Sequence, residues 1–542
     1  MQVESVLNIN PDTINCHDPN EVKKVLKVLF NFVETLNKKN QELKKENQEL
    51  KDEVNRLKGE KGKPQIKPKT NNNVSAPKQK KTGKKKRGKK KRSKKNNIPI
   101  DNTETVEYKG ELPVDAQFKG YRLVVVQNII IKTNNIEYKL ERYYSASEGK
   151  TYEASLPDGI DPYFSANIKS WIIKWYFDCR MSEAKIHQLL TDIGIQISRG
   201  YISNILTKGN DVFHNEKNEL VLAGINSSNY QHIDDTGARV SGENQYFSVL
   251  CNDFYTAFFT NPRKDRTTVI KILQQTDEIP YLINHHSLSF LEEKKLKSSI
   301  LEGLYPFLDF EAMNKENFLK EITRSFPKLR ERHIDRILEA GAIGAYREQK
   351  NNVFNILVCD DAKQFFNITK LRSLCWIHEG RHYKKLIPIF DYHKKILEYF
   401  LKKFWIYYRK LIRYKKNPTK ALKKKLDTEF NKLFGTNTGY AELDERIRLT
   451  RNKKKHLLVV LDYPEVPLHN NIAELAIRIY VIKRKISFGT KSADGTRSWE
   501  TFFSILDTCR KLNIDFREYV LDRISGIFQM PSLAQIIEQV ST

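Results

Sequence analysis

Cysteine is scarce in this chain of 542 residues. The six present, Cys16, Cys179, Cys251, Cys359, Cys375 and Cys509, are scattered, and no two make a Cys-x-x-Cys pair. That pattern excludes a disulfide framework and a zinc ribbon, and it predicts a reduced, intracellular protein. Long apolar runs are lacking too. No stretch approaches the roughly 20 residues of a membrane span, and no basic-then-apolar leader opens the chain. Acids are in deficit: 66 Asp and Glu face 94 Lys and Arg, a formal net charge of +28. Such an excess points to a polyanionic partner. Thirteen of the positive charges lie within residues 78–95, and the remainder of the chain is basic without them. What is present in quantity is apolar residues, 39% of the chain. That suffices for real cores in about two to four domains.

Residues 1–60 carry a heptad pattern. Leu29, Leu36, Leu43, Leu50 and Leu57 fall seven apart, and Leu26, Val33, Asn40, Asn47 and Val54 occupy the other seam position. Leucine on one seam with two Asn on the other favours a parallel two-stranded coiled coil of fixed register, and hence a homodimer or higher oligomer. Residues 61–100 read as a basic, disordered linker suited to phosphate backbones. Residues 101–165 predict a small β-subdomain, with strands over 121–132 and 136–144 about a Thr133-Asn134-Asn135 turn. Residues 166–210 then switch to helical periodicity. Ser182 and Ser198 are N-cap candidates for two helices separated by a short Gly194-containing turn, the pattern of a DNA-docking helix-turn-helix. On that reading Arg199, Tyr201, Ser203 and Asn204 face the groove.

Residues 225–515 read as an α/β domain with helical insertions at about 275–350 and 380–455, followed by a C-terminal tail, 516–542. Three acids stand out. Asp234 and Asp360 each end an apolar strand, and Glu474 lies on a helix within 467–485. There Asn470, Glu474 and Arg478 recur every four residues and share a face, with Ile472, Leu475, Ile479 and Ile482 on the other side. Strand-end carboxylates joined by one from a helix can clamp two divalent ions about 4 Å apart and act on a phosphodiester. Oxygen donors and substrate phosphates suit Mg²⁺. Taken singly, each Asp reads equally as a turn former, and the helix as a solvated amphipathic one. His378-Glu379-Gly380-Arg381-His382 is a literal zinc-protease signature, but Gly380 weakens the helix it needs and no third ligand is marked.

Four segments together are more specific. Ile233-Asp234-Asp235-Thr236-Gly237, Leu357-Val358-Cys359-Asp360-Asp361-Ala362, Cys375-Trp376-Ile377-His378 with Arg381, and His469 through Glu474 to Arg484-Lys485 resemble, in order and spacing, the insertion-sequence-66 family of bacterial transposases. The resemblance covers most of the chain. It implies a ribonuclease-H-like catalytic core, a mixed sheet flanked by helices, with Asp234, Asp360 and Glu474 as catalytic and metal-holding acids. Asp235 and Asp361 are the alternates within their doublets. It implies Mg²⁺, or Mn²⁺, as cofactor, and DNA as partner, both the element's terminal inverted repeats and its target. Arg199, Tyr201, Asn204, Arg478, Lys483, Arg484 and Lys485 are the implied DNA contacts, and the implied setting is the bacterial cytoplasm at the nucleoid. The chain departs from the family pattern at His469 and Leu475, where an acid and a base are usual. It also lacks the family's cysteine-rich finger, so no zinc is expected. A non-catalytic DNA-binding regulator and a nuclease that hydrolyses without joining are the alternatives.

Overall fold

A computed structural model of the chain describes residues 18–57, 98–113, 115–157, 163–349 and 354–541. The expected basic linker lies outside the described residues except for 98–100. The chain divides into two units, Met1–Asn40 with Asn135–Thr542, and Gln41–Asn134.

The heptad region is one helix, α1 (Pro19–Leu57). Its residues in the first unit have two distinct faces. Phe30 stacks on Phe390 at 4.2 Å. Asn31 donates to Gly439 O at 3.1 Å and accepts from Ala441 N at 2.9 Å. Glu34, only 3% exposed, accepts from Ile389 N and Phe390 N. Meanwhile the seam residues Leu26, Leu29, Val33 and Leu36 are exposed. In the second unit the seam residues Leu43, Leu50 and Val54 are exposed as well.

The strand expected over 121–132 does not form. Residues 121–141 carry neither strand nor helix, and Leu123, Val124, Ile129 and Ile130 are exposed. A β-rich stretch needs a neighbouring strand and a face to bury before its propensity counts, and here neither is supplied. The hairpin instead lies further on, β1 (Arg142–Ser145) with β2 (Lys150–Glu153), paired antiparallel.

Four helices follow: α2 (Ala166–Phe177), α3 (Glu183–Asp192), α4 (Arg199–Thr207) and α5 (Asp211–Asn226). The caps stand where expected. Ser182 Oγ accepts from Lys185 N, and Ser198 Oγ accepts from Tyr201 N. Gly194, at φ 89°, makes the turn between α3 and α4 in a left-handed conformation that a side chain would resist.

The sheet of the α/β domain has five strands: β3 (Tyr230–Val240), β4 (Glu243–Cys251), β5 (Thr256–Asn261), β6 (Ile356–Cys359) and β7 (Leu371–Leu374). Their order across the sheet is β5-β4-β3-β6-β7. The first three run antiparallel, and β6 and β7 run parallel to β3. All four residues of β6 are buried, as expected of an apolar strand covered on both faces. Between β5 and β6 come α6 (Arg266–Gln274), α7 (His285–Glu293), α8 (Ser298–Glu302), α9 (Lys315–Ser325) and α10 (Glu331–Glu348). After β7 come α11 (Trp376–Lys384), α12 (Asp391–Lys416), α13 (Lys420–Phe434) and α14 (Ala441–Asn452).

The helix carrying Glu474 is α15 (Asn471–Ser487), and α16 (Ala493–Lys511) follows it. Helix α16 seals the sheet's antiparallel edge. The outward N–H groups of Thr256, Phe258 and Thr260 donate to Thr508, Ser504 and Glu500 respectively. Steps of two along a strand, about 6.8 Å, match steps of four along a helix, about 6 Å. An edge that invites a foreign strand is thereby closed. The segment read as a tail packs as two helices, α17 (Phe516–Ile524) and α18 (Leu533–Ser541). Leu533 and Ile537 are fully buried, and Leu533 N donates to the buried Glu216 of α5.

Candidate active site

Two of the acids are set by strand register. The parallel pairing of β3 with β6 ends at His232 opposite Val358. Asp234 and Asp360 each stand two residues beyond that pair, side by side at the carboxyl end of the parallel ladder. Asp234 does not end its strand, contrary to the expectation. Only its pairing with β6 has ended there, because β4 continues to pair with β3 as far as Val240. Gly237, which reads as a turn former, sits opposite Tyr246 within that ladder. The reversal falls instead at Ser241 and Gly242, both at positive φ.

Successive side chains on a strand point to opposite faces, which separates Asp234 from Asp235 on β3, and the partners of Asp360 and Asp361 differ likewise just beyond β6. Asp235 takes Lys264 at 3.7 Å and the Gln364 amide at 2.5 Å. Asp361 pairs with Lys453 and lies 3.9 Å from Arg372. Asp234 and Asp360 have no ion pair among the described residues; each accepts a neighbouring backbone N–H, from Asp235 and Ala362. Burial, and next the Asp360 carboxylate, push Asp234 up to about 7, with Glu474 adding to the rise. Burial also raises Asp360, and Asp235 and Asp361 add to it against the Ala362 N–H and His378. Two half-buried carboxylates thus repel each other, which favours the protonated form of each.

Glu474 comes from α15, and its charge adds to the rise at Asp234, but among the described residues its carboxylate groups within 4.8 Å with Cys375 and His378 and not with the two aspartates. The residue before the helix, Asn470, does not cap it with its side chain. It is fully buried and ties three segments together. Its Oδ1 accepts from His232 Nδ1 at 2.8 Å, its Nδ2 donates to Ile233 O at 2.8 Å, and its backbone N–H reaches Cys375 Sγ at 3.3 Å. Glu474, in the first turn of α15, is thereby held beside β3 and the start of α11. Arg381 Nη2 donates to Glu474 Oε2 at 2.9 Å, and His378 Nδ1 lies 3.6 Å from Glu474 Oε1.

The zinc-protease signature is on a helix, α11, yet its Glu379 is committed to other partners. Burial alone would raise Glu379, but Lys453 and Arg446, with Thr450, hold it below the usual carboxylate value. A carboxylate bound to two cations and a hydroxyl is no general base. Cys375, His378 and Glu474 do converge, with one ligating atom each within 4.8 Å of one another. Burial pushes the Cys375 thiol up to about 11, so it stays protonated near neutral pH. Trp376 is core: it is fully buried, donates to Leu457 O at 2.8 Å and packs on Phe404 and Tyr407.

The basic residues of α15 divide by helix rotation. Arg478 and Lys485 are exposed, Arg484 is half-buried beside Gly237, and Lys483 is fully buried. Lys483 Nζ donates to Met181 O at 2.6 Å and sits 3.3 Å from the Tyr176 ring centroid. Burial lowers its pKa to about 7. The expectation that Lys483 contacts DNA is therefore corrected: it binds α15 to the loop between α2 and α3. Nine residues from Glu474 is about 900° of rotation, half a turn away. Leu475, expected inside, is 49% exposed, while Ala473, Ala476 and Ile477 take the buried face. Tyr480 is also core, stacked on Phe247 at 3.6 Å. On α4, Arg199 and Asn204 are exposed and Tyr201 is half-buried against Phe164. His232 went unread in the sequence; its signal was its place two residues before Asp234 on the same strand face.

Comparison with known proteins bears on this arrangement. The profile of the transposase IS66 family matches residues 162–283 and 327–498. The matched stretches take in β3 with Asp234, β6 with Asp360, and α15 with Glu474. The protein named uncharacterized protein y4jO of Sinorhizobium fredii is 30% identical over 306 residues, covering 56% of this chain and 94% of that one. Uncharacterized protein y4qI of the same organism is 29% identical over 100 residues, 18% of this chain and 19% of that protein.

Proposed function

The chain belongs to the IS66 family of transposases, and from that premise we propose that it cleaves and joins DNA strands through Asp234, Asp360 and Glu474 on a ribonuclease-H-like core. The sheet supports the fold reading: three antiparallel strands continued by two parallel ones, with acids at the carboxyl end of the central pair. The observation that carries the function is the division of the two doublets. Asp235 and Asp361 are neutralised by Lys264, Lys453 and Arg372, while Asp234 and Asp360 are left unpaired and raised.

Asp234, Asp360 and Glu474 offer only oxygen donors, which suit a hard divalent cation. Mg²⁺ or Mn²⁺ held by Asp234, Asp360 and Glu474 would supply Lewis acidity to the attacking and leaving oxygens of a phosphodiester. The chain's own part is positional. Asn470 fixes Glu474 relative to β3, and the register of β3 and β6 fixes the two aspartates. Arg478 and Lys485, exposed on the Glu474 side of α15, are suited to the phosphates of the strand being cut. Helices α3 and α4, with Arg199, Tyr201 and Asn204, are suited to reading the element's ends. The exposed seam of α1 is suited to pairing with a second copy. No helix among the described residues is long and apolar enough to cross a membrane.

The test is a joining assay with Mg²⁺ and pre-cut duplexes carrying the element's terminal repeats. Joined product from the wild type, and none from Asp234→Asn or Glu474→Gln, supports a transposase. Hydrolysis without joining marks a nuclease. Binding without either, unchanged in Glu474→Gln, marks a regulator.

A further inference from the structure

We infer that Arg381 is the resident counter-cation of Glu474: it holds that carboxylate before a divalent ion loads, is displaced when one does, and then offers its guanidinium to a phosphate of the bound strand. The inference rests on the carboxylate-site reading above and adds to it the cation that occupies the third ligand meanwhile.

Two buried arginines that hold this fold together are anchored on backbone carbonyls. Arg266, with its side chain 3% exposed, donates to Phe366 O and Lys363 O, both at 2.6 Å. Arg523, equally buried, donates to Pro531 O at 3.0 Å and Met530 O at 3.1 Å. Arg381 is different. Its hydrogen bonds among the described residues go to Glu474 Oε2 and to His378 Nε2, both at 2.9 Å, and its side chain is 37% exposed. Both partners are site residues, so nothing else fixes the guanidinium.

The same geometry sets His378. A guanidinium only donates, so His378 Nε2 is the acceptor and the neutral ring carries its proton on Nδ1. That nitrogen faces Glu474 Oε1 at 3.6 Å and has no hydrogen-bond partner. Glu474 thus has a cation on one oxygen, while the His378 N–H stands beyond hydrogen-bond distance of the other. Among the described residues Arg381 is the arginine paired with Glu474, and the lysines nearby are committed to Asp235 and Asp361. A divalent ion entering between Asp234, Asp360 and Glu474 makes the guanidinium on Glu474 redundant and repels it. A planar fork of donors released there matches a phosphate bidentately.

The experiment is a Mn²⁺ titration of the full-length protein, read by loss of the free-ion EPR signal, with and without an end duplex. Without DNA, Arg381→Gln is expected to bind Mn²⁺ about five-fold or more tightly than wild type, the lower range of coupling between sites. Arg381→Lys, which keeps the charge, is expected to restore wild-type affinity. Adding the duplex is expected to tighten Mn²⁺ binding in wild type and not in Arg381→Gln. Arg381→Ala, at a partly exposed site, serves if the glutamine variant does not fold. Unchanged or weaker Mn²⁺ binding in Arg381→Gln, while Asp234→Asn abolishes it, overturns the role of Arg381 and leaves the carboxylate site standing. Wild-type Mn²⁺ affinity in Asp234→Asn overturns the carboxylate site itself.

Discussion

The Asn470 carboxamide and the His232 imidazole share a buried hydrogen bond of 2.8 Å, and through it the helix bearing Glu474 is fastened to the strand bearing Asp234. His232 is fully buried, and burial lowers its pKa to about 4, so it is neutral and its Nδ1 carries the proton it gives to Asn470. Asn470→Ala removes the acceptor of His232 and the donor to Ile233 O together. Stranding both costs about 2–4 kcal/mol, measured by urea denaturation. Joining activity is expected to fall further than in Arg478→Ala, because the third acid loses its fixed position.

Asp234 has a folded-state value of about 7 against an ordinary 3.8. The stability linked to its proton is fully present below the ordinary value and lost as pH rises through 7. Metal-free wild type should therefore weaken between about pH 4 and 8 on account of this group. Asp234→Asn, which cannot ionise, escapes that loss. In EDTA at pH 8 the variant is expected to be more stable than wild type by about 1–3 kcal/mol, with a smaller gap at pH 5. Melting curves at the two pH values check it.

Lys483 shows the linkage for a base. Its folded value is lowered from 10.5 to about 7, so between those limits the unfolded chain binds more protons and stability rises with pH. Lys483→Met should therefore compare best with wild type near pH 6.5 and lose that relative advantage by pH 10. Because the side chain is buried, the variant should leave DNA affinity and its salt slope unchanged. Lys485→Ala, in contrast, should weaken binding and flatten the slope.

The two faces of α1 make separable expectations. Leu36→Lys with Leu43→Lys is expected to convert an oligomer into a monomer in sedimentation velocity while leaving the fold intact, since both leucines are exposed. Glu34→Ala is expected instead to leave the Ile389 and Phe390 amides without their acceptor. Faster hydrogen exchange at those two amides, with the oligomer preserved, is the outcome that separates the faces.

Much of this was legible in the sequence because it is local. Ser182 and Ser198 announce their helices, the β6 strand is an apolar run, and the Asp360-Asp361 doublet follows it. The length of β3 was not legible, because Gly237 is a turn residue by propensity and is kept in the ladder by Tyr246 on β4. The burial of Lys483 was legible by counting rotation from Glu474, and the clustering of Lys483, Arg484 and Lys485 concealed it. The role of Asn470 was not legible, since its partners His232 and Ile233 lie more than two hundred residues away. The same holds for the extended stretch 121–132, whose strand propensity had no neighbour to act on.

The most direct measurement is strand joining by Asp360→Ala with Mg²⁺ and pre-cut element ends, alongside end binding by the same preparation. The proposed role of Asp360 in holding the cation, together with its place outside the α3–α4 hairpin, predicts that joining is abolished while end binding stays within about two-fold of wild type. Joining at the wild-type rate in that variant would contradict it.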